Sequence, residues 1–96
     1  MAYNIFVRFT AAYPGAGEDF VKEVTEAGIA DAIRSEDGCI KYDYYFSAQD
    51  DKLLLLIEQW ESYEHQQVHL TQPHMDRLRT IKGKYITDTV IKEFTL

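Results

Sequence analysis

The sequence predicts an α+β fold with the ferredoxin-like order β-α-β-β-α-β. Three observations carry this. Four segments rich in β-branched and aromatic residues, at 3–12, 39–48, 53–61 and 85–95, read as strands. Helical spacing fills the gap between the first and second and between the third and fourth, whereas a short polar turn joins the second to the third. Apolar side chains also occupy both faces of the strands. Helices cover one sheet face, so the other calls for a second copy packed sheet to sheet as an isologous dimer.

In the first strand Tyr3, Ile5, Val7 and Phe9 share one face, and Asn4, Phe6, Arg8 and Thr10 the other. Pro14-Gly15-Ala16-Gly17 ends it in a loop. Glu18 and Asp19 then suit the positive end of a helix dipole. Phe20, Val24 and Ala27 recur at helical spacing, so one helix is expected from about Glu18 to Glu36, with a weak point at Gly28. Glu36-Asp37-Gly38 reads as its stop signal.

The second strand places Ile40, Tyr42, Tyr44 and Phe46 on one face, and Cys39, Lys41, Asp43, Tyr45 and Ser47 on the other. Gln49-Asp50-Asp51-Lys52 turns the chain into the third strand. That strand starts with Leu53-Leu54-Leu55-Leu56-Ile57, apolar on both faces and therefore covered on both sides. Ser62 is a good N-cap for a short helix from Tyr63 to Leu70. Pro73 suits the first position of a following helix, capped by Thr71 or Gln72 and closed near Lys82 by Gly83. The fourth strand follows.

At 96 residues the chain has room for one core, so 1–96 is expected to be a single domain. Its formal net charge of -6 makes it a poor partner for nucleic acid or an anionic membrane, which both need clustered Lys and Arg. The longest purely apolar run, Leu53 to Ile57, is far short of the roughly 20 residues of a membrane span. Met1 to Ile5 carry neither the basic region nor the apolar stretch of a signal peptide, and the single Cys39 allows no intrachain disulfide. Both point to the cytoplasm. Tyr 7, Phe 5 and Trp 1 make 13 aromatic residues, many for a domain of this size. They must face solvent, line a pocket or meet a second subunit.

The densest chemistry lies in 57–75, which holds all three histidines and the only tryptophan. Glu58 and Trp60 share an apolar strand face with Leu54 and Leu56. A glutamate there is either a pocket carboxylate with a raised pKa or the partner of Arg8, Arg77 or Arg79. His65 and His69 stand one helical turn apart. A metal would need further ligands, and neither a His-Glu-x-x-His pattern nor a nearby cysteine supplies them, so no metal site is expected. Either histidine could be a surface residue or a general base. His74 opens a helix, where the dipole keeps the ring neutral, and it either packs there or takes part in catalysis. Cys39 reads as a small buried group. Two glycines at 15 and 17 do not make a dinucleotide fingerprint, so no nucleotide cofactor is implied.

Ile57-Glu58-Gln59-Trp60-Glu61-Ser62, then His65, His69-Leu70 and Gln72-Pro73-His74-Met75, resemble the signature of the antibiotic biosynthesis monooxygenase superfamily, most closely its quinol-monooxygenase branch. Glu36-Asp37-Gly38-Cys39-Ile40-Lys41-Tyr42-Asp43 resembles the family's Glu-x-Gly-Cys-x-x-Tyr-Asp segment, and Pro14-Gly15 and Phe20 fit its first loop and helix. The resemblance implies a dimeric α+β barrel of ferredoxin-like subunits. It also implies oxygenation of a small aromatic quinol or phenol by O2, with no cofactor. Under it His69 is the first choice of base and His74 the second. Trp60, Tyr44, Tyr63 and His65 are ring contacts, and Glu58 or Arg8 orients the ring or stabilises charge. The Asn, Trp and His of the family's haem-degrading members fall at Arg8, His69 and Arg79, so the likeness does not extend to haem. Two other readings remain: an isomerase of a small phosphorylated sugar, for which Arg8, Arg77 and Arg79 supply cations, and a ligand-binding dimer without catalysis.

Overall fold

The computed structural model describes residues 2–95. Its strands are β1 (Tyr3–Ala11), β2 (Cys39–Phe46), β3 (Leu53–Trp60) and β4 (Ile86–Phe94), and its helices are α1 (Ala16–Glu26), α2 (Ile29–Arg34), α3 (Tyr63–His69) and α4 (Pro73–Tyr85). The sheet is antiparallel with order β2-β3-β1-β4. This is the ferredoxin-like arrangement that the sequence predicts.

Each crossover holds two helices. The single helix expected over 18–36 is broken, because Gly28 takes φ 77 and ends α1. That left-handed conformation cannot continue a right-handed helix. In the second crossover Ser62 caps α3, its hydroxyl accepting from the His65 backbone N–H, and Pro73 opens α4. Gln72 stands at the cap position of α4 with no side-chain capping bond. Gly83 does not close α4, which runs on to Tyr85 and passes directly into β4. A glycine weakens a helix by about 1 kcal/mol without ending it when its φ stays negative.

The core lies between one sheet face and the helices. Ile5, Val7 and Phe9 of β1 and Leu54, Leu56 and Trp60 of β3 meet Phe20 and Val24 of α1, Ile29 and Ile33 of α2, and Met75, Leu78 and Ile81 of α4. Burial alternates along all of β3 and along β1 from Ile5 onward, whereas Asn4, on the other face of β1, is buried as well. In β2 it fails at the first step. Cys39 pairs with Trp60 and Lys41 with Gln59, so Ile40 is a bulge residue and is exposed. Cys39 therefore joins Tyr42 and Tyr44 on the core face, where the sequence pattern alone puts Ile40.

The opposite sheet face carries Phe6, Arg8 and Thr10 beside Leu53, Leu55 and Ile57, with Val90 and Phe94 on the far strand. Among the described residues no helix covers this face. The three β3 residues on it are only half-buried.

Candidate active site

Glu36 follows α2 in a tight turn, held by its backbone N–H to the Ile33 carbonyl and by its own carbonyl to the Cys39 N–H. The Glu61 N–H to the Gly38 carbonyl, at 2.8 Å, ties the same turn to the end of β3. Glu36 is thereby presented to two histidines from the second crossover. His69 Nδ1 lies 3.1 Å from each carboxylate oxygen, and His74 Nε2 lies 2.6 Å from Oε2. His69 is the last residue of α3, and Pro73 sets His74 in the first turn of α4.

His69 is 2% exposed. Its ring stacks on Trp60 at 4.7 Å between centroids and meets the edge of Tyr42 at 5.8 Å. Burial lowers its pKa, and the Glu36 carboxylate works against that shift. The ring is therefore unprotonated at neutral pH, as a base must be.

Beyond the indole, Trp60 Nε1 donates to Glu58 Oε1 at 3.0 Å. Burial pushes the Glu58 pKa up to about 7, the indole N–H opposes the rise, and the Glu36 charge adds to it. Of the two readings open for Glu58, the structure supports the buried carboxyl. Its partner is Trp60, not Arg8, Arg77 or Arg79. Tyr42 stands opposite Glu58 on β2. Tyr44, two pairs further along, packs edge-on to Phe20 and Tyr42, and its buried hydroxyl lacks a hydrogen-bond partner among the described residues. Burial raises the Tyr44 pKa to about 12.

A cavity of about 340 Å3 opens beside this cluster, lined by Glu36, Asp37, Glu64, His65, Val68 and Gln72. His65 shares Nδ1 with Ser62 Oγ at 2.6 Å, and its Nε2 lies 3.4 Å from Asp37 Oδ2 and 3.8 Å from Glu61 Oε2. Asp37, Glu61 and His65 are close enough to share a cation, although both carboxylates are exposed. His65 and His69, neighbours on α3, thus belong to two different groupings.

The structure therefore brings together His69, His74, Trp60, Glu58 and Tyr44, with His65 on the adjoining cavity wall. Two expected contacts fall elsewhere. Arg8 is exposed on the opposite sheet face, because its parity in β1 is that of Phe6 and Thr10. Tyr63 is half exposed and lies edge-on to Tyr3, with ring centroids 5.3 Å apart. Cys39 is a packed thiol whose pKa burial raises to about 11, which makes it a poor nucleophile. Sequence reasoning missed Glu36, the residue that joins the two histidines. In the sequence it is an acid just before the Gly38 turn, which reads equally well as a helix stop, and the first residue of the Glu-x-Gly-Cys segment, which by itself carries no role.

Comparison with known proteins agrees with this architecture. No curated protein matches the chain by sequence. Rv0793 from Mycobacterium tuberculosis shares 26% identity with a TM-score of 0.80, over 100% of this chain and 95% of that one. PA3566 from Pseudomonas aeruginosa shares 23% with a TM-score of 0.81, over 99% and 93%. SnoaB from Streptomyces nogalater, a cofactor-independent oxygenase, shares 17% with a TM-score of 0.79, over 99% and 92%. The family model for antibiotic biosynthesis monooxygenase matches residues 3–80, which include all of Glu36, Glu58, Trp60, His69 and His74. The chain belongs to the antibiotic biosynthesis monooxygenase family.

Proposed function

We propose that the protein is a cofactor-independent monooxygenase that oxidises a small aromatic quinol or phenol with O2, working as a homodimer in the cytoplasm. The observation that carries this reading is the buried His69, unprotonated, stacked on Trp60 and anchored to Glu36. A neutral hydroquinone reacts slowly with triplet O2, whereas its anion readily gives up an electron. The protein must therefore take the hydroxyl proton and keep water away. His69 accepts that proton, with His74 as the second base. The anion passes one electron to O2, and the ring radical and superoxide combine into a C–O bond. The imidazolium returns its proton to the peroxide, which loses water to leave a carbonyl. One oxygen atom enters the product, the other leaves as water, and the substrate supplies all the electrons. His65 contacts the ring from the cavity, Trp60 backs the His69 imidazole, and Glu58 and Tyr44 lie behind them on the sheet.

The half-buried Leu53, Leu55 and Ile57 on the uncovered sheet face support the homodimer. Among the described residues no helix is long and apolar enough to cross a membrane.

The test is O2 uptake by metal- and flavin-free protein across a panel of hydroquinones, phenols and anthrones. Uptake with at least one is expected, and none across the panel overturns the reading. A ligand-binding dimer without catalysis is the second reading, favoured by how tightly Trp60 and His69 are packed. A phosphorylated-sugar isomerase has less support, because the charged side chains that line the cavity among the described residues are the carboxylates Glu36, Asp37 and Glu64.

A further inference from the structure

We propose that Glu36 is the positioning residue of the site, holding His69 in the tautomer with its proton on Nδ1 and its lone pair on Nε2. This rests on the oxygenase reading for its consequence in catalysis, but not for the tautomer itself. A carboxylate oxygen only accepts hydrogen bonds, so an imidazole nitrogen at bonding distance from it must carry the proton. His69 Nδ1 lies 3.1 Å from both oxygens of Glu36, a bifurcated contact that no other group on the ring competes for among the described residues. The neutral ring then has one remaining basic atom, Nε2. This is the logic by which a buried carboxylate selects the tautomer of a catalytic histidine.

His74 extends the arrangement. Its Nε2 also donates to Glu36, at 2.6 Å, so one carboxylate gathers the protons of two rings. When His69 takes a substrate proton on Nε2, the new imidazolium sits against a charge already in place, and no side chain has to move. Such preorganisation is worth more in a dry site than in water. Glu36 is only 10% exposed and is fixed by backbone bonds on both sides, so it acts as a rigid anchor.

The groups facing His69 come from every element around it. Glu36 approaches from the turn after α2, His74 and Arg79 from α4, Tyr42 from β2, and Trp60 from β3 with Glu58 behind it. Glu36 alone raises the His69 pKa, while His74, Arg79 and burial lower it. Removing the Glu36 charge should therefore drop the His69 titration to lower pH.

The experiment uses the 15N-labelled full chain and long-range 1H–15N spectra of the histidine side chains across pH. In the wild type His69 should show a protonated Nδ1 and a free Nε2. In Glu36→Gln the His69 nitrogens should move towards a mixture of tautomers, and its titration should move down in pH. Glu36→Asp keeps the charge one methylene short and should fall between. If O2 uptake is established, Glu36→Gln should lower kcat about 10–100-fold with KM within about 2-fold, the scale usual for groups that orient a reacting ligand. A wild-type His69 protonated on Nε2 overturns the proposal, as does a Glu36→Gln variant with unchanged tautomer and titration. The wild-type spectrum decides the matter even if the variants fail to fold. It is also independent of whether any quinol is oxidised, so failure of the oxygenase reading leaves a separate result.

Discussion

The imidazole of His65 lies directly against Gly38, so closely that a Cβ at position 38 would overlap the ring. Gly38 also holds φ 81, a conformation that side chains disfavour. Two independent constraints thus keep this position bare. Gly28 shares only one of them, since its φ is 77 and nothing lies within 4 Å of a Cβ there. Gly28→Ala should therefore cost about 1–2 kcal/mol, the left-handed penalty alone. Gly38→Ala should cost about 2–5 kcal/mol, because crowding adds to it. Calorimetry on both variants checks the difference, at about 4–8 °C per kcal/mol for a chain this size. Equal losses would mean that His65 moves aside freely.

The raised pKa of Glu58 makes stability depend on pH with a definite sign. The folded carboxyl titrates near 7 and the unfolded one near 4.5. Between those values the folded state holds more protons, so the stability that protonated Glu58 contributes falls as pH rises through this window and is gone above about 7. Glu58→Gln keeps an oxygen for the Trp60 N–H and has no proton to lose. The variant should gain on the wild type between about pH 4.5 and 7, reaching up to ~3 kcal/mol above it. Urea titrations of both proteins at pH 5 and pH 8 measure this. A stability gap that does not widen with pH would place the Glu58 pKa near its ordinary value.

His69→Ala should cut O2 uptake about 10²–10⁴-fold, the usual range for a lost general base. Deleting a ring stacked on Trp60 also leaves a void, worth about 2–4 kcal/mol of stability. Uptake has to be compared at a temperature where circular dichroism shows the variant folded. Full activity in folded His69→Ala would pass the base role to His74.

The uncovered sheet face predicts a dimer that a single charge can break. Ile57 lies on the same face, between Phe6 on β1 and Asp43 on β2. Ile57→Glu would bury an unpaired carboxylate between two sheets, a cost of several kcal/mol at each of two symmetric positions. Sedimentation should give the wild type about twice the chain mass of 11.2 kDa and the variant the chain mass itself. A monomeric wild type would remove the dimer from the proposed function.

The fold was legible because it rests on periodicity. Ile5, Val7 and Phe9 alternate, Phe20 and Val24 recur at helical spacing, and Ser62 and Pro73 announce their helices, all within a few residues. What the sequence hid depends on distance along the chain. Gly28 and Gly83 look alike as letters, but one takes a positive φ and breaks the helix while the other stays inside it. The Ile40 bulge belongs to the pairing of β2 with β3, not to β2 itself. Among the site residues, Glu58 and Trp60 stood out as polar and aromatic groups on an apolar strand face, and His69 through its one-turn spacing from His65 and the family resemblance. Glu36 did not, because its partners His69 and His74 lie 33 and 38 residues away. Arg8 was expected to serve the site, but the face it shares with Phe6 and Thr10, legible from its parity, is the one away from His69.

Ile40 has one more consequence. Because Cys39 and Lys41 face consecutive residues of β3, the ladder skips Ile40 altogether. A chain with Ile40 deleted could keep every cross-strand pair and every core side chain of β2. It would lose only the local bend and extra twist that a bulge imparts. Just ahead of that bend lies the turn that carries Glu36. The bend beside this turn and the core pairing of β2 are therefore separable: one residue sets the bend, and the wall of the core does not depend on it.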